Sequence, residues 1–251
     1  MNARTDVLRP DWPVSSSVHA ATTLRTGGVS AAPYESLNLG THVGDDPAAV
    51  AENRKRLRES LGLPAEPVWL EQVHGTSVLN LDTANGTASE RADAAVSRRA
   101  GRVCAIQVAD CMPVLFAARD GSAVGAAHAG WRGLANGVLE ATATAMHTQP
   151  SELFAWLGPA IGPAHFEVGD EVRAAFVDHA PQATTAFTKN ARQRWQCDLY
   201  ALARMRLAAL GIQQVFGGGG GCTYEDRERF FSFRRDGQTG RMAALIWLAP
   251  S

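Results

Sequence analysis

Two runs that are apolar on both faces, 103–108 (VCAIQV) and 113–117 (PVLFA), constrain this chain more than any other feature of its sequence. A half-exposed strand alternates apolar and polar residues, whereas a run of this kind needs cover on both sides, from helices or from a second sheet. Shorter strand-like runs lie at 68–73, 78–81, 94–97, 122–128, 154–157, 213–216, 230–233 and 243–248. Helices are expected between them. Asp46 reads as an N-cap before Pro47, with Val50, Leu57 and Leu61 on one face and Gly62 as a stop. A second helix is expected over 134–147, a third over 170–177, and a fourth from the Asp198 cap to Gly211. The mixture predicts an α/β or α+β fold, a layered domain of mixed sheets and helices. Turn signals such as Gly27-Gly28, Asn85-Gly86 and Asp120-Gly121 are spread throughout, and no repeat or linker divides the sequence, so a single domain over 1–251 is expected, with residues 1–12 loose.

Charge narrows the partners. With 24 basic and 25 acidic side chains the net charge is −1, which provides no field for nucleic acid or an anionic membrane and favours a small-molecule partner. The basic residues Arg54, Lys55, Arg56 and Arg58 alternate with Glu52 and Glu59 on the first helix and read as a solvated face. No segment has the form of a signal peptide or a membrane span, and the four cysteines make no CxxC pair, so reduced thiols in the cytoplasm are expected. The oligomeric state is not encoded in any pattern of this kind.

Three segments carry metal-ligand chemistry where a strand gives way to a turn: Gln72-Val73-His74-Gly75, Ala109-Asp110-Cys111-Met112-Pro113 and Ala127-His128-Ala129-Gly130. Two imidazoles and one thiolate suit zinc, and three protein ligands with one open position is its catalytic arrangement. The competing reading makes His74 and His128 hydrogen-bonded structural residues and Cys111 a small buried hydrophobe. Spacing alone does not separate the two, because it is not that of a zinc finger. The run from Gly217 to Gly221 lacks the Lys-Ser/Thr ending of a P-loop and reads as a turn or close-approach segment.

The order and content of ten segments resemble one family. They are LRTGGVS from Leu24, YESLNLG from Tyr34, HVGDDP from His42, QVHG from Gln72, ADCMPVLF from Ala109, AAHAGWRG from Ala126, GPAIGP from Gly158, FEVGDEV from Phe166, DLYALAR from Asp198, and CTYEDRERFFSFRRDGQTGR from Cys222. Together they are similar to the laccase-domain proteins of the YfiH type, described as purine nucleoside phosphorylases and formerly as polyphenol oxidases. The resemblance implies zinc held by His74, Cys111 and His128. It also implies phosphorolysis of adenosine, inosine, guanosine and methylthioadenosine, with deamination of adenosine as a second activity. The chain departs from the family pattern at Leu24, Tyr200 and Ala203, where threonine, tryptophan and asparagine are usual.

Candidate roles follow from side-chain chemistry. Asp110, beside Cys111, is a candidate general acid or base, or else a residue that positions a loop. Arg25 and Arg132 offer planar guanidinium forks to phosphate or else form structural ion pairs, Asn38 offers an amide to substrate or else stabilises a turn, and Cys222 is a site-lining thiol or else a buried one. A multicopper oxidase is disfavoured, since the seven histidines include no His-x-His pair, although adventitious copper would suit a His/His/Cys site. Two further readings remain: an amidase that edits peptidoglycan precursors, with His74 and Cys111 as metal site or as base and nucleophile, and a non-catalytic binding protein stapled by zinc.

Overall fold

The computed structural model describes residues 6–84, 90–219 and 221–250. The two apolar runs become strands of two different sheets. Val103–Val108 lies in a five-stranded sheet, ordered Val7–Leu8, Val18–Thr23, Met242–Leu248, Val103–Val108, Val68–Trp69. Met112–Ala118 lies in a six-stranded sheet, ordered Gln214–Gly217, Leu153–Leu157, Met112–Ala118, Val124–Ala129, Ala94–Ser97, Val78–Asn80. Only residues 109–111 join the two runs, so the chain crosses from one sheet to the other through Asp110 and Cys111.

The sheets pack face to face, and the layers follow from alternation along each strand. Leu115 and Ala117 meet Ile106, Val108, Ala244 and Ile246 between the sheets. Met112, Val114, Phe116 and Ala118 point the other way, toward Leu134, Leu139, Leu202 and Leu207 of the covering helices. On the far side of the five-stranded sheet, Val103, Ala105 and Leu245 pack against Leu57 of helix Pro47–Leu61. The result is helix, sheet, sheet, helix. Both faces of each central strand are covered, one by a sheet and one by helices, which accounts for their continuous hydrophobicity.

The first helix has the expected ends: Asp46 accepts from Ala48 N at 2.9 Å, and Gly62 adopts the left-handed conformation. Its basic residues are less uniform than expected. Arg56 pairs with Glu52, but Arg54 donates both to the Leu39 carbonyl and stacks on Trp69, so it ties the helix to the sheet. The single helix expected over 134–147 is two, Trp131–Asn136 and Val138–Ala145, broken at Gly137, whose φ of +99° no regular helix accommodates. The strand expected at 230–233 is absent. Phe230 and Phe231 are core residues of a turn that leads into helix Phe233–Asp236, because Phe230 N bonds back to Asp226 O and Ser232 caps the helix by accepting from Arg235 N.

The strand expected over 68–73 ends at Trp69. Strand Val18–Thr23, built largely of small residues, gave no apolar signal, yet it pairs antiparallel with Met242–Leu248. A small third sheet of Glu167–Val168, Trp195–Cys197 and Phe187–Lys189 was likewise too short to read, and it borders helix Asp170–Val177. Residues 1–12 were expected to be loose; from Val7 onward they are tied down, Val7–Leu8 pairing with Thr22–Thr23, while residues 1–5 lie outside the described residues. The Asn85-Gly86 turn signal also falls outside them. No described helix is long and apolar enough to cross a membrane.

Phe116 sits at the centre of this packing with no exposed surface. Phe116→Ala is expected to cost about 3–5 kcal/mol of unfolding free energy by loss of burial and creation of a cavity. Val29→Ala, at a position 42% exposed, should stay within about 0.5 kcal/mol of the parent. Urea denaturation of the two variants checks both.

Candidate metal centre and its cavity

Where the chain crosses between the sheets, three side chains converge. His74, Cys111 and His128 each offer one ligand atom, and these atoms all lie within 4.8 Å of one another. His128 comes from the end of strand Val124–Ala129, paired in register with Pro113 just beyond Cys111. His74 sits in a turn with φ +59°, and its ring lies edge-on to that of His128 at 4.7 Å. Gly130 makes the convergence possible: a Cβ there would stand 2.9 Å from both Cys111 Sγ and His74 Nδ1.

One residue that sequence reasoning missed holds the histidines in place. Asp93 has no exposed surface, and its carboxylate accepts from Val73 N at 3.1 Å, His74 N at 2.9 Å and Gly75 N at 2.6 Å. The same carboxylate faces His128 Nδ1 at 2.8 Å. A polar residue immediately before the apolar strand 94–97 was the signal available in the sequence. The bond from His128 Nδ1 leaves Nε2 as the atom free to ligate, the usual carboxylate–histidine–metal arrangement. Burial works against the Asp93 carboxylate, but the His128 contact and the backbone donors outweigh it and hold its pKa below the usual value. For His128, burial likewise opposes the charge, yet Cys111 and Asp93 together lift its pKa to about 9. Desolvation first, then the neighbouring His128, lowers that of His74.

The three donors open onto a cavity of about 490 Å³. Its apolar lining comes from Val108, Trp131, Ile161, Phe166, Leu199 and Phe233. Interleaved with it are Arg132, Arg234, Arg241 and His42, with Asp110 as the one lining carboxylate; Arg234 lies over the Phe166 ring at 5.2 Å and Arg241 over the Phe233 ring at 5.9 Å. Among the described residues the Arg132 guanidinium takes no hydrogen bond or ion pair and lies over the Trp131 ring at 4.5 Å. Arg234 donates to Glu167 O, and Arg241 to Thr239 O and Gly240 O. Partial burial, then Arg241 and Arg54, lower the pKa of His42, which favours its neutral form.

The other sequence-derived candidates fall in two groups. Asp110 lines the cavity with φ +88°, and both its oxygens are engaged: Oδ1 accepts from Thr223 Oγ1 at 2.7 Å and Oδ2 from Arg234 N at 2.6 Å. Arg25, Asn38 and Cys222 are not among the lining residues. Arg25 clips two loops by donating to Glu35 O and Arg227 O. Asn38 is fully buried, accepts from Gly40 N and Arg241 N, and donates to Gly40 O and Asp45 Oδ2, so it braces the segment carrying Arg241. Cys222 Sγ accepts from Gly162 N at 3.1 Å, behind the cavity wall.

A family profile described as multi-copper polyphenol oxidoreductase laccase matches residues 19–249. Among curated proteins, purine nucleoside phosphorylase YfiH of Escherichia coli (strain K12) is 55% identical over 242 residues, covering 96% of this chain and 98% of its own. A Pseudomonas aeruginosa protein named purine nucleoside phosphorylase is 53% identical with the same coverage. Two solved structures superpose closely. Neisseria meningitidis protein NMB0706 has a TM-score of 0.93 at 50% identity, covering 97% of this chain and 99% of its own. YlmD from Geobacillus stearothermophilus has a TM-score of 0.88 at 33% identity over the full length of both chains.

Replacing Asp93 with asparagine keeps the shape of the side chain and removes its charge. Asp93→Asn is expected to weaken metal retention by about 10–100-fold, with the fold preserved by circular dichroism. Competition against a chromogenic chelator checks it; unchanged retention would remove Asp93 from the centre.

Proposed function

The chain belongs to the multi-copper polyphenol oxidoreductase laccase family, and from that membership and the cavity we propose that it is a zinc-dependent purine nucleoside phosphorylase. The observation that carries the proposal is a two-histidine, one-cysteine cluster opening onto a cavity lined by both aromatic and guanidinium side chains. A nucleoside and phosphate need both kinds of group: hydrophobic rings for a planar base, guanidinium groups for an anion. Nitrogen and thiolate donors favour zinc over hard cations such as magnesium. The donor set does not favour several coppers, since the described residues hold only two three-donor groups.

His74, Cys111 and His128 would hold the ion, with Asp93 fixing the orientation of His128. Bound there, zinc supplies Lewis acidity toward a phosphate oxygen or a water. Arg132, without a hydrogen-bond or ion-pair partner among the described residues, takes phosphate oxygens, while Arg241 and Arg234 add positive charge to the lining. Trp131, Phe166 and Phe233 provide apolar contact for the purine. In phosphorolysis a phosphate oxygen attacks C1′ of the ribose as the bond from C1′ to the base breaks, and the departing base takes up a proton. Asp110 acts as a positioning residue, since its two oxygens already hold Thr223 and the start of helix Phe233–Asp236. Adenosine, inosine, guanosine and methylthioadenosine are the proposed substrates in the cytoplasm, and in the deaminase activity water in place of phosphate adds at C6 of adenine, the bond from C6 to the exocyclic nitrogen breaks, and the protonated nitrogen leaves as ammonia to give inosine.

Phosphate-dependent release of free base from adenosine and inosine, measured on protein of known metal content, tests the proposal. His74→Ala and Cys111→Ala are expected to abolish release together with bound zinc. Arg132→Ala removes a charge-assisted contact of about 1.5–3 kcal/mol and should lower kcat/KM for phosphate roughly 10–100-fold. Bound zinc without turnover of any nucleoside would sink the proposal and direct attention to amide hydrolysis or a scaffold role.

A further inference from the structure

A second group of donors lies behind the cavity wall. His165, Cys222 and Glu225 each present one ligand atom, and these atoms fall within 4.8 Å of one another. None of the three lines the cavity. His165 Nε2 faces Glu225 Oε1 at 2.8 Å, and the imidazole stacks on Tyr224 at 4.4 Å with rings 14° apart. By itself that contact is a surface ion pair of little consequence. The cysteine beside it changes the chemistry.

The backbone holds the three donors in place independently of any ion. Ala160 and Cys222 form a parallel bridge, reinforced by the bond from Thr223 N to Ala160 O at 3.1 Å. Gly162 N donates to Cys222 Sγ, and a Cβ at 162 would stand 3.2 Å from that sulfur, so glycine lets the loop close on the cysteine. The bond from Asp226 N to Cys222 O closes one helical turn, which brings Cys222 and Glu225, three residues apart, to the same side. The loop carrying His165 is held by Gln196 Nε2 donating to Ala164 O.

We infer that His165, Cys222 and Glu225 form a second binding site, for a zinc-like divalent transition metal. Imidazole, thiolate and carboxylate are all zinc ligands, and the thiolate disfavours magnesium and calcium. The thiol proton passes to solvent on binding, and thiolate plus carboxylate then neutralise the ion's two charges. The Glu225 side chain is 60% exposed, so a fourth position is open to water. The ion bridges the 158–165 loop to the 222–225 turn, and that loop carries Ile161 of the cavity wall.

Cobalt(II) titration of metal-free protein, followed in the visible and near-ultraviolet and by metal analysis after gel filtration, tests this. Wild-type protein is expected to take up two equivalents, and Cys222→Ser and His165→Ala one each. Cys111→Ser disables the first centre and should retain one equivalent with a sulfur-to-cobalt charge-transfer band. A single equivalent in the wild type would overturn the inference, as would survival of the second equivalent in both Cys222→Ser and His165→Ala. A Cys111→Ser protein without any sulfur-to-cobalt band would do the same.

Discussion

The candidate centre depends on one buried carboxylate. Asp93 has no exposed surface, and burying an unpaired charge of that kind costs several kcal/mol. Here the cost is offset by three backbone donors from 73–75 and by the His128 imidazole. Those donors lie in the turn that contains His74, so the group that orients one histidine also sets the backbone of the other. The left-handed conformation of His74 is tolerable for the same reason, because the turn is fixed from outside. An apolar residue at 93 would leave the 73–75 donors and His128 Nδ1 without this acceptor.

Position in the fold determines the rest. Two sheets that share a core must be linked at their ends, and the link formed by 109–111 places Cys111 beside the end of strand Val124–Ala129. Asp110 belongs to the same link and reaches in the other direction, to Thr223 and Arg234 N. The crossing thus anchors the donor cluster on one side and the arginine-bearing segment on the other. Loops supply the chemistry and the sandwich supplies the rigidity.

The layered fold was legible because the runs 103–108 and 113–117 are apolar on both faces, and the caps Asp46, Gly62, Asp198 and Gly211 mark helix ends directly. The histidine and cysteine donors were legible as chemistry at strand ends. Asp93 was not, since an aspartate before an apolar strand looks like any strand-capping polar residue until its four partners are known. His42, Arg234 and Arg241 lay inside recognised segments, yet their convergence depends on tertiary contacts that no local pattern contains. Arg25 and Asn38 illustrate the converse. Both have the chemistry of ligand-binding groups, and both use it within the fold, Arg25 on two backbone carbonyls and Asn38 on backbone groups and the Asp45 carboxylate.

The loop from Gly158 to His165 explains how a departure from the family pattern is accommodated. Tyr200 stands where tryptophan is usual, and its hydroxyl accepts from Ala160 N at 2.8 Å and donates to Gly158 O at 3.2 Å. Burial lifts its pKa to about 12, which keeps that hydroxyl a donor at any physiological pH. The loop it holds bonds onward, Ile161 N to Asp110 O at 2.9 Å and Thr223 N to Ala160 O. Tyr200, the loop, the crossing at Asp110 and the turn at Cys222 therefore form one contiguous set of hydrogen bonds between the two donor clusters.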